Sequence, residues 1–275
     1  MNINRIQIAA NLPPVQYGFR LETISYQERL IPYQGQTVLY YQYVMGSEAE
    51  SIRVVPDGCT DILICCDPFR PHSLLCGTIL QGESIRFLPG ATYFGIRLTP
   101  LQNVQIRPLP FRDLINQQLP LTDVMKGVGS MCDAIAEKET FALRIAFFEQ
   151  AFLPLLLSPH TSSELVDYCL QQIYRTRGTV TVDQLARDIG FSTRYIRKKF
   201  VETLGLSPKQ YSRITRFQHT LSSMLTSTAA WSNLATEHGY YDQAHFIKDF
   251  KHFSMFTPMQ IHSLIAEVAE KTMIL

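Results

Sequence analysis

The sequence predicts an α+β chain: an N-terminal antiparallel β-barrel of the cupin type with flanking helices, followed by an all-α C-terminal half in which a long helix joins two helix-turn-helix units. Three observations carry this. Between positions 26 and 109, short apolar or alternating runs are separated by turn residues, the texture of strands and hairpins. From about 110 onward the apolar spacing changes to the helical period. A segment at 185–211 then recurs at 234–261, so the C-terminal half holds two units made to one plan.

Length and charge divide the chain in the same place. Its 275 residues suffice for two domains, expected at 1–160 and 161–275, and 46% apolar with 18% charged residues is a globular composition. The net charge of +1 conceals an asymmetry, because residues 1–160 carry 12 basic and 14 acidic side chains and residues 161–275 carry 13 and 10. The basic surplus peaks at 187–216, where eight Lys and Arg face only Asp188 and Glu202. A field of that sign favours a phosphate backbone.

In chain order, 1–20 reads as an irregular arm interrupted by Pro13 and Pro14. Strands are expected at 37–45, 51–55, 61–66, 74–80, 84–88 and 92–98, punctuated by Pro56-Asp57-Gly58, Asp67-Pro68, Pro71, Gly82 and Pro89-Gly90. Helices follow near 111–118, 121–137 and 141–157. The last is apolar around most of its circumference and must be covered by its own barrel or by a second subunit, which makes a homodimer a candidate assembly. Arg144, Glu149, Gln150 and Pro154 interrupt it, so it does not qualify as a membrane span. The N-terminus has no apolar secretory core, and six cysteines without framework spacing suit a reducing cytoplasm.

Enzymatic chemistry finds little support in the first half. A catalytic metal in such a barrel needs clustered His and carboxylate ligands, whereas 1–160 holds only His72 and His160; no metal or cofactor is expected. Cys59, Cys65, Cys66 and Cys76 fall on two adjacent strands, either as small buried hydrophobes or as a thiol sensor or soft-metal site. Asp57 and Asp61 around Gly58-Cys59-Thr60 suggest two readings. Asp57 can bond nearby backbone amides in a turn. Alternatively, Asp61 and Arg97 line the barrel interior and fix a small effector, with Tyr40, Tyr43, Tyr93 and Phe94 as apolar walls.

The second half is more specific. After an amphipathic helix at 164–175, Thr181 and Gln184 form a capping-box pair, Val182, Leu185, Ala186 and Ile189 follow at helical spacing, and Gly190 ends that helix. Ser192 caps a second helix whose Ile196 and Phe200 face inward while its basic residues face outward, a helix-turn-helix with its reading helix placed for a major groove. LARDIGF at 185–191 recurs as LATEHGY at 234–240, and F200 with LSPKQY as F250 with FTPMQI; one extra residue near Tyr241-Asp242 changes the offset from 49 to 50. The units span about 181–200 and 231–252. Between them, 209–225 is a helix of about 26 Å, which holds the two recognition helices near one helical turn of DNA apart, about 34 Å, if the helices themselves add some offset.

LARDIGFSTRYIRKKF with GLSPKQY, a connecting helix, then LATEHGYYDQAHFIKDFKHF with FTPMQI resemble the AraC-type transcriptional regulators. VPDGCTDILI and FGIRLTP are similar to the N-terminal part of one branch of that family. The resemblance implies a cytoplasmic regulator without enzyme activity, with an effector-binding or dimerising barrel, double-stranded DNA as partner and RNA polymerase as a candidate one. Carried over by position, Arg194, Arg197 and Lys198 read base edges and Ser192, Thr193 and Lys199 lie near phosphate. In the second unit Gln243, Ala244 and Lys248 occupy reading positions, with His245 adjacent and Lys251 towards the backbone. Arg and Lys suit guanine and Gln suits adenine. Met255 stands where the family has Gly, Ile261 where it has Tyr, and 265–275 runs past its usual end. The competing reading is a thiol-based sensor or enzyme domain fused to a DNA-binding module, which needs a zinc-activated cysteine set that these spacings do not provide.

Overall fold

Alternating side chains organise the N-terminal half. The computed structural model describes residues 14–34, 36–100, 102, 110–156, 163–226 and 231–264. Its strands are β1 (Ser25–Tyr33), β2 (Gln36–Val44), β3 (Ser51–Val54), β4 (Thr60–Cys65), β5 (His72–Cys76), β6 (Glu83–Arg86), β7 (Thr92–Leu98) and β8 (Gln118–Pro120). Six form an antiparallel sheet in the order β1-β2-β7-β4-β5-β8, and β3 pairs with β6 in a second sheet. The register sets Tyr41 opposite Gly95, Asp61 opposite Arg97 and Cys65 opposite Tyr93. Since neighbours along a strand point to opposite faces, this register sorts two cores.

One face, with Tyr40, Ile62, Ile64, Phe94 and Ile96, packs against the helices that follow: α2 (Leu121–Val124), α3 (Gly129–Ala136), α4 (Phe141–Ala151) and α5 (Leu153–Leu156). The other face, with Tyr41, Tyr43, Leu63, Cys65 and Tyr93, turns inward to meet Ile52 of β3 and Phe19 of a short helix, α1 (Tyr17–Leu21). Phe19 and Tyr43 stack at 4.9 Å, Tyr43 and Tyr93 at 5.2 Å. Gly95 is required here, because a Cβ at that position would enter the Tyr41 ring lying across β7.

Several expectations change in detail. The strand at 25–33 and the short β8 were not among the expected runs; the helix expected near 111–118 is a 3-10 turn, Phe111–Leu114, leading into β8. The expected 121–137 helix is two helices, separated at Gly127, whose φ of +77° suits glycine and ends α-geometry. The 141–157 segment divides before Pro154, and its apolar side is covered by its own sheet: Phe148 meets Tyr40 and Phe94 edge-on, while Leu143 and Leu155 remain exposed. Of the irregular arm expected at 1–20, residues 1–13 lie outside the described residues, as do His160 and the tail at 265–275, and the arm's end is helical instead, in α1.

The C-terminal half is helical: α6 (Glu164–Arg175), α7 (Val182–Ile189), α8 (Thr193–Leu204), α9 (Pro208–Thr226), α10 (Trp231–Glu237) and α11 (Gln243–Ser254). Leu170, Leu185, Ile196, Phe200, Phe217, Leu221, Phe246 and Phe250 share one core. That core does not stop at the N-terminal half, since Tyr17 and Val55 belong to it. Tyr17 Oη donates to the Ser254 carbonyl at 2.7 Å, and Gly205 sits where a Cβ would strike the backbone of Phe111 and Arg112.

Acid sensitivity follows from α9. His219 is half-buried, and burial with the nearby charges of Arg177 and His238 holds its pKa down at about 4. The unfolded chain therefore takes up a proton near pH 6.5 that the folded chain refuses until about 4, so stability is full above that window and falls on acidification through it. The melting temperature should drop between pH 7 and 5 in a scanning experiment. His219→Gln should make that drop smaller; an unchanged pH profile in the variant would refute the assignment.

Candidate nucleic-acid interface and the barrel cavity

The second helix of each unit, expected to read DNA, is set by local caps. In α7, Thr181 Oγ1 accepts from Gln184 N and Gln184 Oε1 accepts from Thr181 N, a reciprocal capping box. Gly190 then turns the chain at φ +71°, and Ser192 Oγ accepts from Tyr195 N to start α8. In the second unit Gly239 turns at the same φ and Asp242 caps α11, accepting from His245 N at 2.7 Å. The repeated S/T-P-x-Q is a second capping box in both copies, Ser207 with Gln210 and Thr257 with Gln260. Met255, at the position matched by Gly205, is held in the left-handed region at φ +67°. That conformation is costly for a residue with a Cβ, about 1–2 kcal/mol.

On α8, Arg194, Arg197 and Lys198 are exposed, and Thr193 and Lys199 are half-buried. The Ser192 side chain is exposed and engaged in its cap. Glu202 lies 3.1 Å from Lys199 and 3.7 Å from Lys198, whereas Arg194 and Arg197 form no ion pair among the described residues. On α11, Gln243, Ala244, Lys248 and Lys251 are exposed. His245 is turned back onto its own helix: its Nδ1 accepts from Tyr241 N at 3.4 Å and its Nε2 lies 3.5 Å from Asp249. Asp249 in turn takes Arg213 of α9 at 2.9 Å, fixing the second reading helix to the connecting one. Exposed aromatics border both helices, Phe191 stacked on Tyr195 at 5.1 Å in the first and Tyr241, 92% exposed, in the second. The extra residue in the second turn was the only sequence signal for Tyr241.

Residues 185–262 match the model of a helix-turn-helix domain. This segment is an AraC-type helix-turn-helix domain. It is 28% identical over 81 residues to an uncharacterized HTH-type transcriptional regulator of Staphylococcus aureus (strain MSSA476), covering 30% of this chain and 11% of that protein. It is 30% identical over 77 residues to the lactose operon transcription activator of Staphylococcus xylosus, covering 28% of each. The chain thus spans about a tenth of the length of the first relatives and little over a quarter of the second. Among solved structures, ToxT from Vibrio cholerae is similar over 87% of this chain and 98% of its own, at 13% identity and a TM-score of 0.42. A DNA-binding transcriptional dual regulator from Escherichia coli K-12 matches 40% of this chain and 99% of its own, at 20% identity and a TM-score of 0.35.

Away from the AraC-type domain, the β-half carries a half-open cavity of about 330 Å³ whose walls include Gln16, Asp57, Cys59, Asp61, Glu83 and Arg97. Arg97 is 1% exposed; its Nε and Nη2 donate to Asp61 at 3.0 and 2.8 Å, and Nη1 lies 3.4 Å from Asp57. Tyr41 Oη donates to Asp61 at 2.8 Å, and its ring lies 5.2 Å from the guanidinium carbon. Asp57 also makes the turn anticipated for it, Oδ1 accepting from Cys59 N at 2.9 Å. Tyr40, Tyr43, Tyr93 and Phe94 do not line this cavity. Tyr40 and Phe94 point to the opposite face of the sheet, against α4, and Tyr43 and Tyr93 fill the barrel's far end with their own stacking. On β2 it is Tyr41 that meets the Asp61–Arg97 pair, although it does not line the cavity either.

The cysteines are packing groups by environment. Cys59, Cys65, Cys132 and Cys169 are buried, and no disulfide links the described cysteines. Burial pushes the Cys66 and Cys169 thiols up to about 11 and raises those of Cys59, Cys76 and Cys132. Thiolate, the reactive form, is therefore scarce near neutral pH.

Asp61→Ala would leave the buried Arg97 with Asp57 alone at 3.4 Å. Removing one partner of a buried pair costs about 3–5 kcal/mol. Denaturant unfolding of the variant should show a loss of that order, and a loss under about 1 kcal/mol would mean the pair is not what holds this end of the barrel.

Proposed function

We propose that the chain is a sequence-specific DNA-binding transcriptional regulator of the cytoplasm that reads two successive major-groove segments under the control of a small effector held in the N-terminal half. In this reading 161–275 is the DNA-binding domain and 1–160 the effector-binding domain, with a second copy and RNA polymerase as further candidate partners. The observation that carries it is the tandem repeat itself. Two helix-turn-helix units that share a turn glycine, a side-chain cap on the second helix and an S/T-P-x-Q box are joined by the 19-residue α9, whose span of about 28 Å, with the offset of the helices it joins, approaches one turn of DNA. The exposed Arg194, Arg197 and Lys198 make α8 the stronger electrostatic anchor, and α11 presents Gln243 and Lys248.

Control by an effector is supported by how the cavity wall meets α9. Gln16 Nε2 donates to Asp57 Oδ2 at 2.9 Å and to the Val55 carbonyl at 2.7 Å. Gln218 of α9 holds the flanking residues, accepting from Val15 N at 2.8 Å and donating to the Pro56 carbonyl at 2.7 Å. Gly58, at φ +77°, lies flat against the Tyr211 ring at the start of α9. A ligand that moves Asp57 or Gln16 thereby shifts residues clamped to the helix that spaces the two readers. The raised thiols argue against the competing thiol-sensor reading.

Selection of bound duplexes from a random library with the full chain should enrich sites with two conserved elements about one helical turn apart. Arg197→Ala should then cost about 1–3 kcal/mol of specific binding and relax preference at one base position. Lys199→Ala should weaken all sequences alike and lower the salt slope by about one. Unchanged affinity in both variants would refute the assignment of α8 as a reading helix.

A further inference from the structure

The charge of the cavity says what kind of molecule it can hold. Its walls carry Asp57, Asp61 and Glu83 against a single cation, Arg97. That guanidinium is already consumed, donating to Asp61 through two nitrogens, facing Asp57 with the third and covered by the Tyr41 ring. An anionic ligand would have to displace a carboxylate from Arg97 while approaching Glu83. Glu83, by contrast, forms neither an ion pair nor a side-chain hydrogen bond among the described residues, and it lies at the start of β6 in the two-stranded sheet, whereas Asp61 lies on β4 of the six-stranded one.

We propose that this cavity takes a small organic cation with several N–H donors, of the amine or guanidine class, seated on the carboxylate of Glu83, with Asp57 and Asp61, already bonded to Arg97, Gln16, Tyr41 and the Cys59 amide, adding negative field and their remaining acceptor capacity. The inference rests on the reading of the cavity as the effector site and gives that effector a chemistry. Ionised carboxylates are acceptor-only groups, and N–H donors bearing positive charge make the strongest hydrogen bonds to them. Val54, Val55, Ile79 and Ile85 offer an apolar lining suited to a short alkyl chain between donors. A bare divalent metal fits less well, since no cluster of three or more His, Cys, Asp or Glu ligands with metal-holding geometry occurs among the described residues. Burial raises the Asp57 and Glu83 carboxyls above their ordinary range, and a bound cation would reverse that.

The test uses the full chain and four matched probes, 1,4-diaminobutane, agmatine, 1,4-butanediol and adipate, followed by thermal shift and calorimetric titration. The two cations should bind saturably and raise the melting temperature, the diol and the diacid should not. Glu83→Gln should weaken the cations by about tenfold or more, the loss expected for one charge-assisted contact, with the free protein's melting temperature unchanged. Asp57→Asn provides a second variant at another carboxylate of the lining, expected to weaken the same probes. Equal shifts by the diamine in wild type and Glu83→Gln would mean surface binding and overturn the proposal. Saturable binding of adipate or the diol, lost in Glu83→Gln, would overturn the cationic class while keeping the cavity as an effector site. Binding by none of the four would overturn the cationic class and count against an effector site; the DNA-binding reading would still stand or fall on its own measurement.

Discussion

The buried guanidinium of Arg97 constrains the N-terminal half more than any other group. A charge at 1% exposure persists only with partners, and here they come from separate pieces of chain: Asp61 on β4, Asp57 in the turn before it, and Tyr41 on β2. The same pairing fixes which face of the sheet is interior, because Asp61 and Arg97 are register partners and a one-residue slip of either strand would send one of them to the helix-covered side. The polar end of the barrel, the stacked tyrosines at its other end and the apolar face beneath α4 all follow from that parity.

The segment 55–59 is where this constraint meets the helices. One side of it contributes Asp57 and Cys59 to the cavity; the other contributes Val55 to the C-terminal core and Gly58 to the face of Tyr211. Tyr211 shares a 2.6 Å hydrogen bond with Tyr174 of α6, so the same few residues touch the barrel, the connecting helix and the helix that precedes the first reader. Packed side chains of this kind have few alternative arrangements, which is how a small displacement in a cavity becomes a discrete one at a distance.

Much of the C-terminal half was legible in the sequence because its elements are fixed locally. Thr181 with Gln184, Ser192, Gly190 and the Ser-Pro-x-Gln of 207–210 specify their helix ends through local contacts, and the repeat doubled the last three. The β-half was legible in texture and less so in detail. Strand β8 is three residues long and exists because β5 offers an open edge, a long-range cause that no local pattern carries. Which residue of β2 meets the Asp61–Arg97 pair turns on one residue of parity, Tyr41 rather than Tyr40, and only the β2–β7 register settles it. Gln218 looked like any polar residue on a helix, and its role depends on Val15 and Pro56, about two hundred and about one hundred and sixty residues away in sequence.

The shared core also bears on modularity. Tyr17 and Val55 are buried among the C-terminal helices, Tyr17 is hydrogen-bonded to Ser254, and the loop glycines Gly58 and Gly205 are each pressed against the other half. A chimera that transplants only the helical reader onto a foreign sensor would leave the Tyr211 ring and the end of α11 facing water. The natural unit of exchange is therefore larger than the helical half, and a graft that keeps those side chains covered must bring the surface formed by residues 15–21 and 55–59.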